Sequence, residues 1–326
     1  MESPVRSGDE QNRQLRSKTA LAIDYEKQGL WGESEKLFKE VVFARQSALG
    51  DEHPDTLTSM ANLASTYRNQ GRWTEAEELE VRVIETRKRV LGEEHSSSLI
   101  SIANLASTYR NQGRLKEAEE LEVQLMETRK KKLGADHPDT LTSMANLAST
   151  YGNQGRLEEA EELEVQVMET REKKLGVDHP DTLTSMDNLA STYWNQGRWD
   201  AAEELSMQVM ETRKKKLGAD HPSTLISMAN LASTYGNQGR LKEAEELEVQ
   251  VLGKEHPSTL TSMNNLVLVL DSQGKYEEAK SMHRQTLAAS EKVLGKEHPS
   301  MLTTMSNLAL VLNSQGKYEE TELMDR

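Results

Sequence analysis

The sequence contains no cysteine, which excludes a disulfide framework, a zinc-thiolate site and a cysteine nucleophile. Aromatic residues are also few, at 4% of the chain, and only two of them are Phe. The hydrophobic content of 35% is low for one large compact core. It is adequate for a thin core of Leu, Met, Ala and Tyr, which is typical of a protein whose core is spread along an axis.

Long apolar runs and an excess of basic residues are missing as well. The first twenty residues are polar, and no segment approaches the 18 consecutive apolar residues of a membrane-spanning helix. We therefore expect a soluble, cytoplasmic protein with no membrane partner. The formal net charge of −14 argues against nucleic-acid binding, because phosphate contacts need a basic surface.

The chain is repetitive, and this repetition predicts its domain organisation. Five histidines from His53 to His221 stand 42 residues apart, and the sequence around them recurs almost verbatim. His256 and His298 open two divergent copies, and a degenerate copy precedes His53. We predict a polar tail at 1–14 and an array at 15–326, with repeats at approximately 15–52, 53–94, 95–136, 137–178, 179–220, 221–255 (shortened), 256–297 and 298–326 (partial).

The first half of each repeat predicts one amphipathic helix. In the first full copy, apolar residues from Leu57 to Tyr67 fall at three- and four-residue spacing, which makes one buried stripe on a 3.6-residue helix. Pro54 is placed for the first turn of this helix. Gly71 is placed for its C-terminal cap.

The second half predicts another helix, from about Thr74 to about Val90. Thr74 and Glu77 have the spacing of a capping box. The predicted buried stripe of this helix consists of Ala76, Leu79, Val83 and Val90. Two helices joined at a glycine form an antiparallel hairpin, and no segment has the alternation of a β-strand.

Particular residues connect this hairpin to a known family. Leu63, Ala64, Tyr67, Gly71, Trp73 and Ala76 match the tetratricopeptide repeat (TPR) pattern. The resemblance covers roughly residues 15–326 and implies an all-α fold, a right-handed superhelical solenoid of antiparallel helix pairs with 42-residue repeats. The unit is longer than the usual TPR of about 34 residues, and with LG.EHP.TL and NLA...Y..QG it resembles kinesin light chains. Near-identical copies such as EAEELEVQVMETRKKKLG resemble the C-terminal arrays of fungal NACHT or NB-ARC (NLR-like) receptor ATPases.

The sequence departs from these families in three respects. A column that is often aromatic in TPRs holds Glu80, Glu122 and Glu164. The heptad-rich segment that joins kinesin light chains to their motor is missing, and so is a phosphate-binding P-loop. The interval from His221 to His256 is 35 residues, which predicts a shortened second helix and a local change of curvature near residues 251–253.

The repeated histidines do not predict a metal site. Packed helices lie about 8 to 10 Å apart, whereas zinc ligands converge within about 2 Å of one ion. We expect these histidines to have a structural role in the turn between hairpins, and His283 to lie on the surface. Catalytic motifs are absent, and Ser and Thr recur in register with the repeat, so we predict no metal, no cofactor and no enzymatic activity.

Charged residues are arranged with polarity along each second helix. Acidic residues such as Glu75 and Glu77 lie at its start, and basic runs such as residues 87–89, 129–132 and 213–216 lie at its end. The helix macrodipole favours this arrangement. Alternatively, the basic ends form a rim that attracts an acidic partner.

The first-helix face opposite the buried stripe is the candidate binding surface. In TPR proteins the equivalent face lines a concave groove that binds extended peptides, so the resemblance implies the same use here. One column of this face varies among near-identical copies, reading Arg68, Arg110, Gly152, Trp194, Gly236, Asp271 and Asn313. The column of Ala61 varies too, becoming Asp187, Asn264 and Ser306.

Two features of this face predict how a ligand would bind. Trp194 is a large aromatic residue in the variable column, where it could be a binding hot spot or could fold back onto the adjacent turn. A constant column of Asn could hydrogen-bond a peptide backbone, or could bond one helix to the next. The predicted partner-binding residues are Ala61, Asn62, Arg68, Asn69, Ala103, Asn104, Arg110, Asn111, Asn146, Asn153, Asp187, Asn188, Trp194, Asn195, Asn230, Asn237, Asn264, Asn265 and Asp271.

These features together predict a non-catalytic scaffold that binds a peptide or partner protein in its groove. The ligand-sensing module of a fungal NLR-like receptor is one context for it. A kinesin light chain-like cargo adaptor and a self-association scaffold are the alternatives. The sequence stops at Arg326 with its last second helix incomplete, which favours a fragment of a larger protein or self-association through uncapped ends.

Overall fold

A computed structural model describes residues 4–240, 243–244, 247, 264, 267–268, 270–271 and 273–294. Every regular element in these ranges is an α-helix, and no strand occurs in them. The predicted all-α class is therefore confirmed. The helices are α1 Pro4–Lys27, α2 Trp31–Leu49, α3 Pro54–Asn69, α4 Trp73–Leu91, α5 Ser96–Asn111, α6 Leu115–Leu133, α7 Pro138–Asn153, α8 Leu157–Leu175, α9 Pro180–Asn195, α10 Trp199–Leu217, α11 Pro222–Asn237 and α12 Tyr276–Leu294.

The chain divides into two compact units, Met1–Gln154 and Gly155–Arg326. In the first unit, consecutive helices from α1 to α7 pack against one another. In the second unit, α8 to α11 pack in the same consecutive manner. Each unit is thus a stack of helical hairpins, in which 16-residue first helices alternate with 19-residue second helices in the full repeats.

Each first helix is capped at its start by a repeated histidine. The His53 Nδ1 atom accepts a hydrogen bond from the Asp55 backbone N–H at 3.1 Å, and Pro54 occupies the first turn. The same contact recurs at His95, His137, His179 and His221. The predicted structural role of these five histidines is confirmed, whereas His256 and His298 lie outside the described residues.

The buried face of α3 follows the predicted stripe. Leu57, Met60 and Leu63 are almost fully buried, and Tyr67 is 8% exposed. Burying one such aliphatic side chain contributes roughly 1.5 to 3 kcal/mol, so the stripe determines which side of the helix faces its neighbours. The opposite face stays open, which positions the candidate site.

The predicted turn at Gly71 is also confirmed. Gly71 has φ of +75°, a left-handed conformation that residues with a Cβ atom rarely adopt. The Arg72 N–H then donates to the Tyr67 carbonyl oxygen at 2.9 Å, which terminates the helix as in a Schellman motif. The chain reverses within three residues and begins α4 at Trp73.

Two predictions for the second helix are wrong. Helix α4 begins one residue before Thr74, so Thr74 cannot be its N-cap, and the N-cap residue Arg72 makes no side-chain capping bond. Val90 is 49% exposed and does not belong to the buried stripe. Two heptads after Ala76, its position has rotated by about 40° from the core direction. The buried face instead includes Glu80 and Arg87.

His283 is buried, contrary to the predicted surface position. It lies in α12 on the same face as Ala279 and Thr286, and all three are 0% exposed. Neither ring nitrogen finds a hydrogen-bond partner among the described residues. Burial lowers the pKa of His283 to about 4, so the imidazole is neutral at pH 7.

Among the described residues, no helix is long and apolar enough to cross a membrane. The predicted change of curvature near residues 251–253 and the final partial repeat lie outside the described residues. Residues 4–14, assigned from sequence to a polar tail, are helical and extend α1 to 24 residues.

Candidate functional site

Buried glutamates connect each second helix to the first helix of the next repeat. Glu80 in α4 is 2% exposed and accepts a hydrogen bond from the Thr108 hydroxyl of α5 at 2.6 Å. Glu122 in α6 accepts the equivalent bond from Thr150 of α7 at 2.5 Å. Burial raises the pKa of both carboxyl groups, although these hydrogen bonds act in the opposite direction.

Arg68 and Arg110, two predicted partner-binding residues, contact these glutamates. The Arg68 guanidinium donates to Glu80 at 3.2 Å and to the Asn104 carbonyl oxygen of the next repeat at 3.2 Å. Arg110 makes the same pair of bonds, to Glu122 and to the Asn146 carbonyl oxygen. Both arginine side chains are less than one-fifth exposed. Each of them therefore lines the face while holding two repeats together.

Glu164 lacks this ion pair. The column that holds Arg68 holds Gly152 in its repeat, and the Glu164 Oε2 atom is buried without a hydrogen-bond partner among the described residues. Burial raises the pKa of Glu164, the Thr192 hydrogen bond lowers it, and the nearby Glu161 raises it further. The same buried site thus has a different charge balance in different repeats.

The next repeat carries Trp194 and Ser206 at the two positions held elsewhere by Arg and Glu. Trp194 is half-buried, and Ser206 is 3% exposed. Together with Asp187, Asn230 and Thr234 they line a cavity of about 190 Å³. This cavity lies inside the second unit, among α9, α10 and α11.

A second polar contact joins the end of each second helix to the next first helix. Arg87 is 6% exposed and donates to the Ser101 hydroxyl at 2.8 Å and to the Ser97 carbonyl oxygen at 3.2 Å. The equivalent Arg45, Arg129, Arg171 and Arg213 bond Ser59, Ser143, Ser185 and Ser227. The first arginine of each basic run is therefore engaged between helices and cannot belong to an open basic rim.

Asp187, another predicted partner-binding residue, joins this contact in its own repeat. Its carboxylate pairs with Arg213 at 2.6 Å, and both side chains are mostly buried. Burial raises the pKa of Asp187, and Arg213 acts in the opposite direction. The charge of Asp187 is thus balanced inside the chain.

A third contact, which sequence reasoning missed, connects the turn after each first helix to the previous repeat. The Arg72 guanidinium lies 4.2 Å from the Tyr67 ring centroid and pairs with Glu35 at 2.9 Å. Gln70 also donates to Glu35 at 2.9 Å. Burial alone would raise the pKa of Glu35, but hydrogen bonds from Lys39, Gln70 and Arg72 outweigh it and lower the pKa to about 2.

The constant Asn column lies along the open face. Asn62, Asn104, Asn146 and Asn188 are half-buried, and Asn230 is exposed. The backbone carbonyls of Asn62, Asn104, Asn146 and Asn230 accept hydrogen bonds from side chains, but within the described ranges the side-chain amides of all five asparagines make none. These side-chain amides therefore form no hydrogen bond that holds the stack together.

The remaining predicted partner-binding residues fall into three groups. Ala61 and Ala103 are half-buried and pack against the core. Asn264 and Asp271 are half-buried, and Asn265 lies outside the described residues. Exposed asparagines stand at the ends of the first helices, namely Asn69, Asn111, Asn153, Asn195 and Asn237.

Family comparisons agree with this geometry. One tetratricopeptide repeat profile matches residues 15–55, 56–97, 98–139, 140–181, 259–300 and 301–326. A second tetratricopeptide repeat profile matches residues 181–252. The chain belongs to the tetratricopeptide repeat family. TPR proteins are generally non-catalytic scaffolds that bind protein partners, and the predicted TPR solenoid of paired helices is confirmed.

Several solved structures share the architecture of this chain. A Podospora anserina protein described as a kinesin light chain with nearly identical TPR-like repeats is 36% identical, with a TM-score of 0.53 over 66% of this chain and 99% of that chain. BtubC (BKLC) from P. vanneervenii is 17% identical, with a TM-score of 0.53 over 74% of this chain and 94% of that chain. A signal transduction ATPase with numerous domains (STAND) from Pyrococcus horikoshii, which has a TPR sensor, is 14% identical, with a TM-score of 0.58 over 95% of this chain and 44% of that chain. The last two show the fold alone. No curated protein sequence matches the chain at a significant level.

One recurring sequence motif indicates the contact between the turn arginine and the core tyrosine. The turn motif Gln-Gly-Arg follows the core tyrosine at a fixed distance in every full repeat. Its recurrence marks the Arg–Tyr contact as a structural element, but the partner Glu35 stands 37 residues before Arg72. Only the packing of one repeat on the next identifies that pairing.

Proposed function

We propose that this TPR array is a non-catalytic scaffold that binds an extended or helical segment of another protein along the open face of its first helices. The observation that carries the proposal is the Asn column, whose side-chain amides bond nothing within the described ranges. A side-chain amide that bonds no other residue keeps its donor and its acceptor available to a ligand. The groove therefore presents a row of unused donors and acceptors.

In this proposal the constant positions recognise the main chain of the ligand, and the variable positions recognise its side chains. An amide offers both a donor and an acceptor, so it can bond a peptide main chain whatever its side chains. The adjacent positions differ between repeats, with Arg68 paired to Glu80, Asp187 paired to Arg213, and Trp194 beside a cavity. Main-chain capture by the Asn column and selection by the variable positions support binding of a specific segment.

Affinity capture with matched variants tests this function. The binding variant replaces Asn62, Asn104 and Asn146 by Ala, and it should remain folded because these amides stabilise no other residue. We expect it to lose the partners that the wild-type chain recovers, or to bind them at least about tenfold more weakly. The control replaces Glu78, Glu120 and Glu162 by Ala, which are exposed residues of the second helices.

The control should recover the same partners as the wild type. Equal recovery by all three proteins would contradict groove binding. Circular dichroism of each variant confirms that the helices are retained, so that a lost partner reflects the groove and not unfolding.

The cellular context of the scaffold is a finer proposal. The 36% identity to the Podospora anserina protein with nearly identical TPR-like repeats supports a kinesin light chain-like adaptor. The similarity to a STAND protein with a TPR sensor is compatible with the ligand-sensing module of an NLR-like receptor, but it rests on the fold alone. A sensor predicts an ATPase domain among the captured proteins or in the parent polypeptide, whereas an adaptor predicts a motor. A self-association scaffold predicts that the mass in solution increases with protein concentration.

A further inference from the structure

The repeat that carries Ser206 lacks a side chain that its neighbours have. In three preceding repeats a buried glutamate fills the space between a second helix and the next first helix, and a threonine hydroxyl contacts its carboxyl group. Ser206 stands at the same position in α10 and is too short to reach across. The equivalent hydroxyl, that of Thr234, donates instead to the Asn230 carbonyl oxygen of its own helix at 3.0 Å.

The cavity of about 190 Å³ occupies the place of the missing side chain. Drug-sized ligands need about 300 to 1,000 Å³, so this space suits one side chain of a bound segment. Its lining is mixed, because the Trp194 ring forms an apolar wall while Ser206, Asn230 and Thr234 supply polar groups. An aliphatic stem with a polar end matches such a lining.

The charged residues at the cavity determine which polar end group a ligand side chain can carry. Asp187 also lines the cavity, and its partner Arg213 is already engaged at 2.6 Å. A ligand carboxylate would therefore enter without a free cation, as Glu164 does in its own repeat. A neutral carboxamide avoids that cost, and it can both accept from a hydroxyl and donate to Asp187 or a serine.

Trp194 supplies one more reason for an oxygen acceptor. Its indole Nε1 is buried and finds no acceptor among the described residues. The nitrogen is covered in the present conformation, so an acceptor would reach it after a turn of the ring. An oxygen acceptor within reach of the turned indole would satisfy a donor that the chain itself leaves unpaired.

We propose that this cavity is a side-chain pocket for a carboxamide, the Gln side chain of the bound segment, which takes the place of the glutamate that the repeat lacks. The pocket rests on the proposed groove function, because a segment lying along the first helices would present this side chain. Ser206 is the residue that opens the pocket, and Trp194 and Thr234 form its walls.

Fluorine NMR of the full chain labelled with 5-fluorotryptophan tests the pocket directly. The chain has four Trp, and a Trp194→Phe variant assigns the signal of Trp194. The probes are the N-acetyl, N-methylamide derivatives of glutamine, glutamate and norleucine. We expect the glutamine probe to shift the Trp194 signal saturably, with a dissociation constant at least about fivefold lower than those of the other two probes.

Two variants at Ser206 separate an open pocket from a filled one. Ser206→Glu places in the cavity the side chain that the neighbouring repeats accommodate, so the fold should be retained and binding of the glutamine probe weakened at least about fivefold. Ser206→Ala keeps the cavity open and removes one polar group of its lining, so it should bind the glutamine probe more tightly than Ser206→Glu does. A Trp194 signal that does not respond to the glutamine probe would overturn the pocket, as would equal binding of the norleucine probe or unchanged binding by Ser206→Glu.

Equal or tighter binding of the glutamate probe would overturn the assignment to a carboxamide. Failure of the pocket is distinguishable from failure of the groove. If the Asn62, Asn104 and Asn146 variant loses its partners while Ser206→Glu binds the glutamine probe normally, the groove stands and the pocket is wrong. If the glutamine probe behaves as expected while that Asn variant retains every partner, the groove is wrong.

Discussion

The buried glutamates of this stack differ in whether an arginine pairs with their carboxyl group. The positions of Glu80 and Glu164 are equivalent by repeat, and both carboxyl groups are buried. Glu80 has Arg68 at 3.2 Å, whereas Glu164 has Gly152 at that column of its repeat. An ionised carboxylate without a cation costs more to bury than one in an ion pair. Burial of Glu164 is therefore more costly than burial of Glu80, although the two positions are equivalent in the repeat.

A matched pair of substitutions measures this inequality. Glu164→Gln removes a charge that has no ion-pair partner, whereas Glu80→Gln removes a paired charge and leaves Arg68 without its carboxylate. We expect Glu164→Gln to be the more stable of the two, relative to wild type, by about 1 kcal/mol at pH 7, as measured by urea denaturation.

The raised pKa of Glu164 predicts how the difference in stability between wild type and Glu164→Gln depends on pH. A folded-state pKa above the unfolded value means that stability is lost as pH rises from the ordinary value near 4.5 through the folded pKa. Relative to Glu164→Gln, wild type should therefore lose stability as the pH rises from about 4 to 7. A stability difference between the two proteins that is the same at all pH values would contradict a buried carboxyl group that ionises in the folded state.

His283 predicts a pH dependence of opposite sign. Its folded-state pKa is about 4, against an ordinary value of 6.5, so the unfolded chain binds the proton more readily. Stability is then present above pH 6.5 and lost as pH falls toward 4, by an amount on the order of 2 to 3 kcal/mol. We expect wild type to lose more stability between pH 7 and pH 5 than His283→Leu does in urea denaturation. Parallel losses would show that His283 is accessible to protons in the folded state.

At the scale of the helical elements, the predictable features are those encoded within about four residues. The buried stripe of α3, the proline in its first turn and the turn at Gly71 all depend on local spacing, and all are present. The capping box at Thr74 also depends on local spacing, but the helix starts one residue too early for it.

The contacts between repeats could not be predicted from the sequence, for a physical reason. Arg72 and Glu35 are 37 residues apart, and Glu80 and Thr108 are 28 residues apart. Spacing within one helix cannot show which side chains meet across two packed helices. The glutamate column departs from the TPR pattern in the sequence, but its contact with Arg68 becomes evident only in the folded chain.

The Arg72 contact predicts a measurable coupling between neighbouring hairpins. Arg72→Ala removes the ion pair with Glu35 and the stacking on Tyr67. Because Arg72 is about one-third exposed, solvent screening limits the expected loss to about 1 kcal/mol. Arg89→Ala, which removes only the exposed pair with Glu52, should leave the free energy of unfolding unchanged. Equal effects of the two substitutions in urea denaturation would contradict the inter-repeat role of Arg72.

At the largest scale, each of the two units is a stack in which neighbouring hairpins support one another. The core consists of separate clusters of neighbouring helices, such as the one around Leu63 and the one around Val209. In such an array the stability is a sum of repeat and interface contributions, and local opening need not spread. A core substitution should therefore act mainly on its neighbourhood.

Leu63→Ala tests that locality. Leu63 is 5% exposed, and truncating a buried leucine costs about 2 to 5 kcal/mol. We expect amide hydrogen exchange to accelerate in α2 to α5 while exchange in α9 to α11 stays within error of wild type. Uniform acceleration along the chain would indicate a single cooperative core instead.

Binding in the groove depends on side-chain amides that the stack leaves unengaged, and hydrogen exchange of these amides tests that property most directly. With asparagine labelled by ¹⁵N, the side-chain amide protons of Asn62, Asn104 and Asn146 should exchange rapidly with water in the free protein, because they bond no other residue in the described ranges. Addition of a captured partner segment should slow their exchange. Protection already present in the free protein, or exchange unchanged by the partner, would contradict recognition through the Asn column.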